Sequence, residues 1–254
     1  MSNNEDKKRV VLIGGITGGV GSSLAKRFLQ AGWQVAGYAR SEEKLRSFVE
    51  DNPTATTFQA DACDSSQVNQ VVENLIEKTG RLDAYVHCIG SILLKPAHRC
   101  TDEEFDETLT LNLRSAFYGL RAALQPMLKG DGGSISLVSS VAAVAGMPNH
   151  EAIGAAKGGI NGLVLSAAST YANKGIRVNA VAPGMVETDM AKPLLGSDQA
   201  KKLSESMHPL GRTGKAEDIS SILFWLSSPE NSWVTGQIWS VDGGMGHVRQ
   251  RVKA

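Results

Sequence analysis

Eight residues near the start of the chain, Gly14-Gly15-Ile16-Thr17-Gly18-Gly19-Val20-Gly21, restrict the fold more than any other stretch. An apolar run, Val10–Ile13, precedes them, and Ser22 to Leu29 follows with apolar residues at helical spacing. Strand, glycine turn and helix in that order form the context in which backbone cradles a dinucleotide pyrophosphate. Gly15 then allows the tight turn. Gly19 lets backbone approach phosphate oxygens, and Gly21 lets the helix lie close to the strand. Thr17 and Val20 complete the candidate contacts. The helix N-terminus offers unpaired N–H groups and a partial positive charge to the phosphates. A merely flexible surface loop would not need the flanking strand and helix.

At 254 residues one α/β domain, 1–254, is the expectation. The 42% of hydrophobic residues can fill its core. A formal net charge of zero points to neither nucleic acid nor an anionic membrane surface. No apolar run approaches the ~18 residues of a membrane span. Met1 to Arg9 is polar and charged, unlike a signal peptide. Cys63, Cys88 and Cys100 lack metal or CxxC spacing and read as reduced thiols of a cytoplasmic protein, with no metal site.

Strand-like and helix-like runs alternate along the chain. The expected strands are Val10–Ile13, Gln34–Ala39, Thr56–Gln59, Ala84–Cys88, Ser134–Ser139, Arg177–Ala182 and Gln237–Val241. That alternation predicts a doubly wound parallel sheet, a Rossmann fold of about seven strands with helices on both faces. Asp64 with Gln67 and Thr101 with Glu104 read as capping boxes. Gly32, Gly80 and Gly175 stand where helices must end.

Ligands of such sheets bind at the carboxyl ends of the strands. After the second strand stands Tyr38-Ala39-Arg40-Ser41, with no acidic residue to hold ribose hydroxyls. The Arg40 guanidinium suits a 2′-phosphate, which favours NADP and leaves NAD possible. The plainer reading makes Arg40 a solvated helix-start residue. Asp61 and Ala62 end the third strand and suit the adenine edge, or form a plain turn. Ile89 and Gly90 follow the fourth strand, where a glycine lets backbone pass beside a cofactor. His87, on an apolar strand, reads as a core histidine rather than a catalyst.

These pieces together resemble the short-chain dehydrogenase/reductase family. The resemblance runs from the glycine turn through Asp61, Leu111-Asn112-Leu113, Ser139-Ser140 and Lys157. It continues through Asn179-Ala180-Val181-Ala182-Pro183-Gly184 to Val234-Thr235-Gly236-Gln237 and Val241-Asp242-Gly243-Gly244. It implies a nicotinamide-dependent oxidoreductase acting on a small molecule, usually a homotetramer or homodimer. Pro183, Gly184 and Val186 would line the nicotinamide, and residues 186–210 would form a substrate lid. Phe117, Leu120 and Leu124 fit an apolar helix face serving either core or interface.

The family's catalytic set is Asn, Ser, Tyr and Lys. Asn112, Ser140 and Lys157 match; the tyrosine position, thirteen residues after Ser140 and four before Lys157, holds Ile153. The four tyrosines, at 38, 85, 118 and 171, all lie elsewhere. Isoleucine cannot protonate an alkoxide, and loss of a general acid costs about 10²–10⁴ in rate. His150, seven residues before Lys157, shares its helix face roughly 10 Å away and titrates near neutrality. The string Pro148-Asn149-His150-Glu151-Ala152-Ile153-Gly154-Ala155-Ala156-Lys157 resembles enoyl-acyl-carrier-protein reductases, whose tyrosine occupies the His150 position. Against a catalytic His150, Asn149 reads as the helix N-cap. That would place the imidazole in the first turn, where the dipole disfavours its cation.

Two functions remain open. One is a reductase of a carbonyl or activated enoyl compound with an altered acid. The other is an impaired NADP(H)-binding sensor or scaffold.

Overall fold

The computed structural model describes residues 8–249, so the polar opening from Met1 to Lys7 lies outside the described residues. In chain order the elements are β1 (Val10–Gly14), α1 (Gly19–Gln30), β2 (Gln34–Ala39), α2 (Glu42–Asp51), β3 (Thr56–Gln59), α3 (Ser65–Thr79) and β4 (Ala84–His87). They continue with α4 (Asp102–Leu109), α5 (Ser115–Lys129), β5 (Gly133–Val138), α6 (Glu151–Tyr171), β6 (Ile176–Pro183), α7 (Asp198–Met207), α8 (Ala216–Ser227) and β7 (Ile238–Val241). The seven expected strands are present, with ends shifted by a residue or so. All pairings are parallel, in the order β3-β2-β1-β4-β5-β6-β7. The order reverses between β1 and β4, which opens a crevice at their carboxyl ends.

Successive residues of a strand face opposite sides, and both sides are covered. Val11 and Ile13 pack with Leu24 and Phe28 of α1, Leu45 and Phe48 of α2, and Ile219 and Leu223 of α8. Val10 and Leu12 face the other layer, with Val71 and Leu75 of α3, Leu120 and Leu124 of α5, and Ile160 and Val164 of α6. Leu120 and Leu124 therefore belong to the core, while Phe117, one turn earlier, is 42% exposed. Among the described residues no helix is long and apolar enough to cross a membrane.

Thr101 and Glu104 form the full reciprocal capping box. The Asp64 box is only half made. Asp64 accepts from the amides of Ser66 and Gln67, but the Gln67 Oε1 takes the Asp61 amide at 2.9 Å instead of the Asp64 amide. The competing donor is the Asp61 amide, six residues before Gln67, in the turn after β3. Gly32, Gly80 and Gly175 all have positive φ after their helices, as expected.

Candidate functional site

The glycine turn sits at the carboxyl end of β1. Gly15 has φ +79 and its amide donates to the Tyr38 carbonyl at 2.9 Å. A Cβ on Gly21 would overlap the Gly15 carbonyl oxygen, so α1 starts against the turn. Gly18 caps α1 without any side-chain hydrogen bond. The first amides of the helix are thus left to a ligand, an arrangement that fits a pyrophosphate. Thr17, Gly18, Gly19 and Val20 line a cleft of about 560 Å³, whose floor also includes Ile89, Gly90, Pro183, Gly184 and Val186. A larger cavity, about 900 Å³, opens at the opposite ends of the strands around Asp83, Gly132 and Trp233. None of the candidate catalytic or coenzyme-binding residues borders it, so the chemistry belongs to the smaller cleft.

Arg40 is exposed at the end of β2, and its side chain does not border the cleft. Lys44, in the first turn of α2, does. Asp61 holds the Cys63 amide through Oδ1 at 2.9 Å, and Ala62 beside it is buried; neither borders the cleft.

Four catalytic candidates converge at the ends of β4, β5 and α6. Asn112 is buried in a wide helical turn, Thr110–Arg114, between α4 and α5. Its Nδ2 donates to the Thr108 carbonyl four residues back and to Ser91 Oγ, both at 3.0 Å. Its Oδ1 accepts the Ser91 amide at 3.0 Å. A Cβ at Gly90 would lie 2.7 Å from Asn112 Oδ1 and 3.3 Å from Lys157 Nζ, so only a glycine lets these two side chains meet behind it. Lys157 Nζ donates to the Val138 carbonyl at 2.9 Å.

The two serines divide their work. Ser139 Oγ donates to Asn161 Oδ1 at 2.7 Å and is buried against α6. Ser140 borders the cleft, and its Oγ accepts the Ala142 amide at 3.1 Å, which leaves its proton to donate. Ile153 is buried and, with His150, borders the same cleft. The expected Asn149 cap does not form. Asn149 adopts φ +63, a left-handed conformation asparagine tolerates, and His150 itself becomes the N-cap residue. The imidazole is consequently outside the first turn, with Nδ1 2.7 Å from the Pro148 carbonyl. A carbonyl only accepts, so Nδ1 carries the proton and Nε2 is the open position.

Residues 15–246 match the family model described as enoyl-(acyl carrier protein) reductase. A 3-oxoacyl-[acyl-carrier-protein] reductase of Thermotoga maritima is 34% identical over 241 residues, which is 93% of this chain and 97% of that protein. The chain belongs to the short-chain dehydrogenase/reductase family. It is accordingly an NAD(P)-dependent oxidoreductase. The structure of a short-chain type dehydrogenase/reductase from Mycobacterium ulcerans superposes with a TM-score of 0.90 at 29% identity, covering 94% of this chain and 90% of that one. ElxO, solved with NADP bound, gives 0.89 at 29% identity, covering 94% and 98%.

Within this short-chain dehydrogenase/reductase, burial sets the electrostatics. It brings the Lys157 ammonium down to about 8, with Cys88 pulling slightly the other way. It pushes the Cys88 thiol up to about 12. His87 is fully buried, and burial, then Lys157, hold it neutral with a pKa of about 3. Its Nε2 is 3.1 Å from Ser115 Oγ and its Nδ1 2.8 Å from Tyr85 Oη, which in turn is 2.9 Å from Tyr38 Oη. Ser115 donates to the Leu111 carbonyl, so it accepts from His87 Nε2–H, and Tyr85 must donate to Nδ1. Each ring nitrogen of His87 has its partner, as a core histidine requires.

Sequence reasoning missed Lys44, Met147 and Met245, which all border the cleft. Only their convergence marks them, and no local pattern encodes it.

Proposed function

We propose that this protein is an NADP-dependent reductase of a small molecule carrying a carbonyl or activated enoyl group. The observation that carries the reading is one cleft bordered by an uncapped helix N-terminus, a buried lysine and a serine with a proton to give. NADPH bound there would supply the hydride. The amides of α1 hold the pyrophosphate. Lys44 at the cleft, with Arg40 beyond it and no carboxylate in the Tyr38-Ala39-Arg40-Ser41 segment, suits a 2′-phosphate, in keeping with the NADP held by ElxO.

Lys157 spends one donor on the Val138 carbonyl and would have the others for a nicotinamide ribose. Its charge favours negative charge developing nearby. Asn112 fixes the Gly90–Ser91 backbone beside Lys157 through its bonds to Ser91. Ser140 donates to the substrate oxygen. Ile153 places an aliphatic wall at the position of the family's tyrosine, so the proton falls to His150. With Nδ1–H tied to Pro148, Nε2 takes a proton from solvent and releases it into the cleft. On an enoyl substrate Ser140 and His150 would stabilise the enolate. Residues 186–210 cover the substrate. The assembly expected is a homotetramer or homodimer in the cytoplasm.

The test is NADPH oxidation over a panel of diketones and enones by wild type, His150→Ala and Ile153→Tyr. His150→Ala should lower kcat by about 10²-fold. Equal rates for wild type and His150→Ala would remove His150 from the chemistry. Calorimetric NADP(H) binding without turnover of any compound would leave the sensor or scaffold reading, most clearly if Ile153→Tyr restored activity.

A further inference from the structure

We infer that the cleft is built for an uncharged substrate whose apolar tail is gripped by methionine thioethers. This rests on the reading above, that a reductase substrate occupies this cleft. The chain has seven methionines, and five of them, Met147, Met185, Met190, Met207 and Met245, border this one cleft. They come from separate places: the loop before α6, the turn after β6, the segment leading to α7, the last residue of α7, and the turn after β7. Met190 and Met207 remain 46% and 43% exposed, and Leu203 on α7 is 64% exposed. That apolar area faces water until something covers it.

Two close approaches join the pieces into one rim. A Cβ on Gly243 would lie 3.4 Å from His208 Cβ, at the end of α7. One on Gly246 would lie 3.1 Å from Val141 Cγ2, on the loop that leads to Met147. Met245 sits between these contacts.

Among the described residues Lys44, His150, Lys157 and Asp189 bring ionisable groups to the cleft. Lys157 is behind Gly90. Asp189 follows Thr188, whose Cγ2 would be 2.9 Å from a Cβ on Gly19. Lys192, and beyond it Lys44, hold the Asp189 carboxyl below the usual carboxylate range. Lys192 and Lys201 on the covering segment are paired with Asp189 at 2.6 Å and Glu187 at 3.0 Å, and Lys95 with Glu104 at 2.7 Å. Of the described lysines and arginines only Lys44 and Lys157 border the cleft, and the Asp189 carboxylate stands next to Met190, so a carboxylate or phosphate tail among the methionines finds little to offset its desolvation. Unbranched, polarizable thioethers reshape around alkyl chains and ring edges alike. The rim selects alkyl or aryl ketones and enones and rejects those that end in an anion.

The experiment uses full-length protein labelled with methyl-¹³C methionine and saturated with NADP⁺. Two ketones of equal length, 2-nonanone and 8-oxononanoate, are titrated in turn. 2-Nonanone should shift the methyl signals of Met147, Met190, Met207 and Met245, leave Met127 of the core unmoved, and bind at least tenfold more tightly than 8-oxononanoate. Met245→Lys should narrow or reverse that preference. Equal affinity of wild type for the two ketones, or shifts that spare those four methionines, would overturn the inference. Because the readout is binding, methionine shifts without NADPH-dependent turnover would sustain the apolar site while the reductase reading failed.

Discussion

His208 and Met185 are joined ring to backbone: His208 Nε2 accepts the Met185 amide at 3.2 Å. The other ring nitrogen, Nδ1, donates to the Ser204 carbonyl at 2.6 Å, which fixes the tautomer. The ring is buried, and a Cβ on Gly184 would lie 2.7 Å from Nε2. One imidazole thus ties the end of α7 to the turn after β6. His208→Ala should loosen the 186–210 segment, raise substrate KM by about tenfold, and change kcat less, since about 1–3 kcal/mol of buried hydrogen bonding is lost. Limited proteolysis should cut within that segment. His208→Gln, which can still accept the Met185 amide, should recover part of the KM. A mutant with unchanged KM and protease resistance would show that the ring is mere filling.

Lys157 should cost stability at neutral pH. Burial lowers its pKa from 10.5 to about 8. Below pH 8 the ammonium is charged in both folded and unfolded chains, and the folded state carries the whole penalty. Between 8 and 10.5 the unfolded chain binds more protons, so stability from this group rises with pH. Above 10.5 both are neutral. Lys157→Met should therefore raise Tm at pH 7, by up to about 3 kcal/mol of stability, and lose that advantage between pH 8 and 10.5. NADPH affinity should fall at the same time. Thermal melts across pH 6 to 10.5 check the sign; a mutant uniformly less stable than wild type would contradict it.

Two glycine replacements should separate steric need from backbone strain. Gly21→Ala drives a methyl into the Gly15 carbonyl and should cost about 1–3 kcal/mol by overpacking. It should weaken NADPH binding more than tenfold, because the turn that presents the α1 amides must move. Gly32→Ala meets no atom within 4 Å and carries only the cost of φ +78, roughly 1–2 kcal/mol. Its coenzyme affinity should stay at the wild-type value. Calorimetric titration of both proteins decides the matter.

The Tyr38–Tyr85–His87–Ser115 chain should stabilise the fold without touching the reaction. Tyr85→Phe leaves His87 Nδ1 buried without its donor and removes the neighbour of Tyr38 Oη. The expected loss is about 1–3 kcal/mol, read by urea denaturation, with KM for NADPH and substrate unchanged. A large rise in either KM would assign the network to the site instead.

Much of this arrangement is legible in the chain itself. The strands β1 to β7 are visible as short apolar or β-branched runs because each needs only its own residues and a period of two. The glycine turn declares itself because Gly15 and Gly21 answer local demands, a positive φ and a close backbone approach. His87 is legible as a core residue from its apolar strand. Asn149 misleads, because its preference for a cap and its tolerance of left-handed backbone are both local, and the Lys95 amide on its carbonyl at 2.8 Å accompanies the second.

What the amino-acid order determines here is therefore the elements and the glycine turn. Tertiary structure alone brings Asn112 and Lys157 together behind Gly90, turns Lys44 rather than Arg40 to the cleft, latches His208 to Met185, and gathers five methionines from distant segments. Such meetings depend on strand order and on which crossover returns to which edge of the crevice. Those are relations between residues tens of positions apart, and a local period cannot carry them.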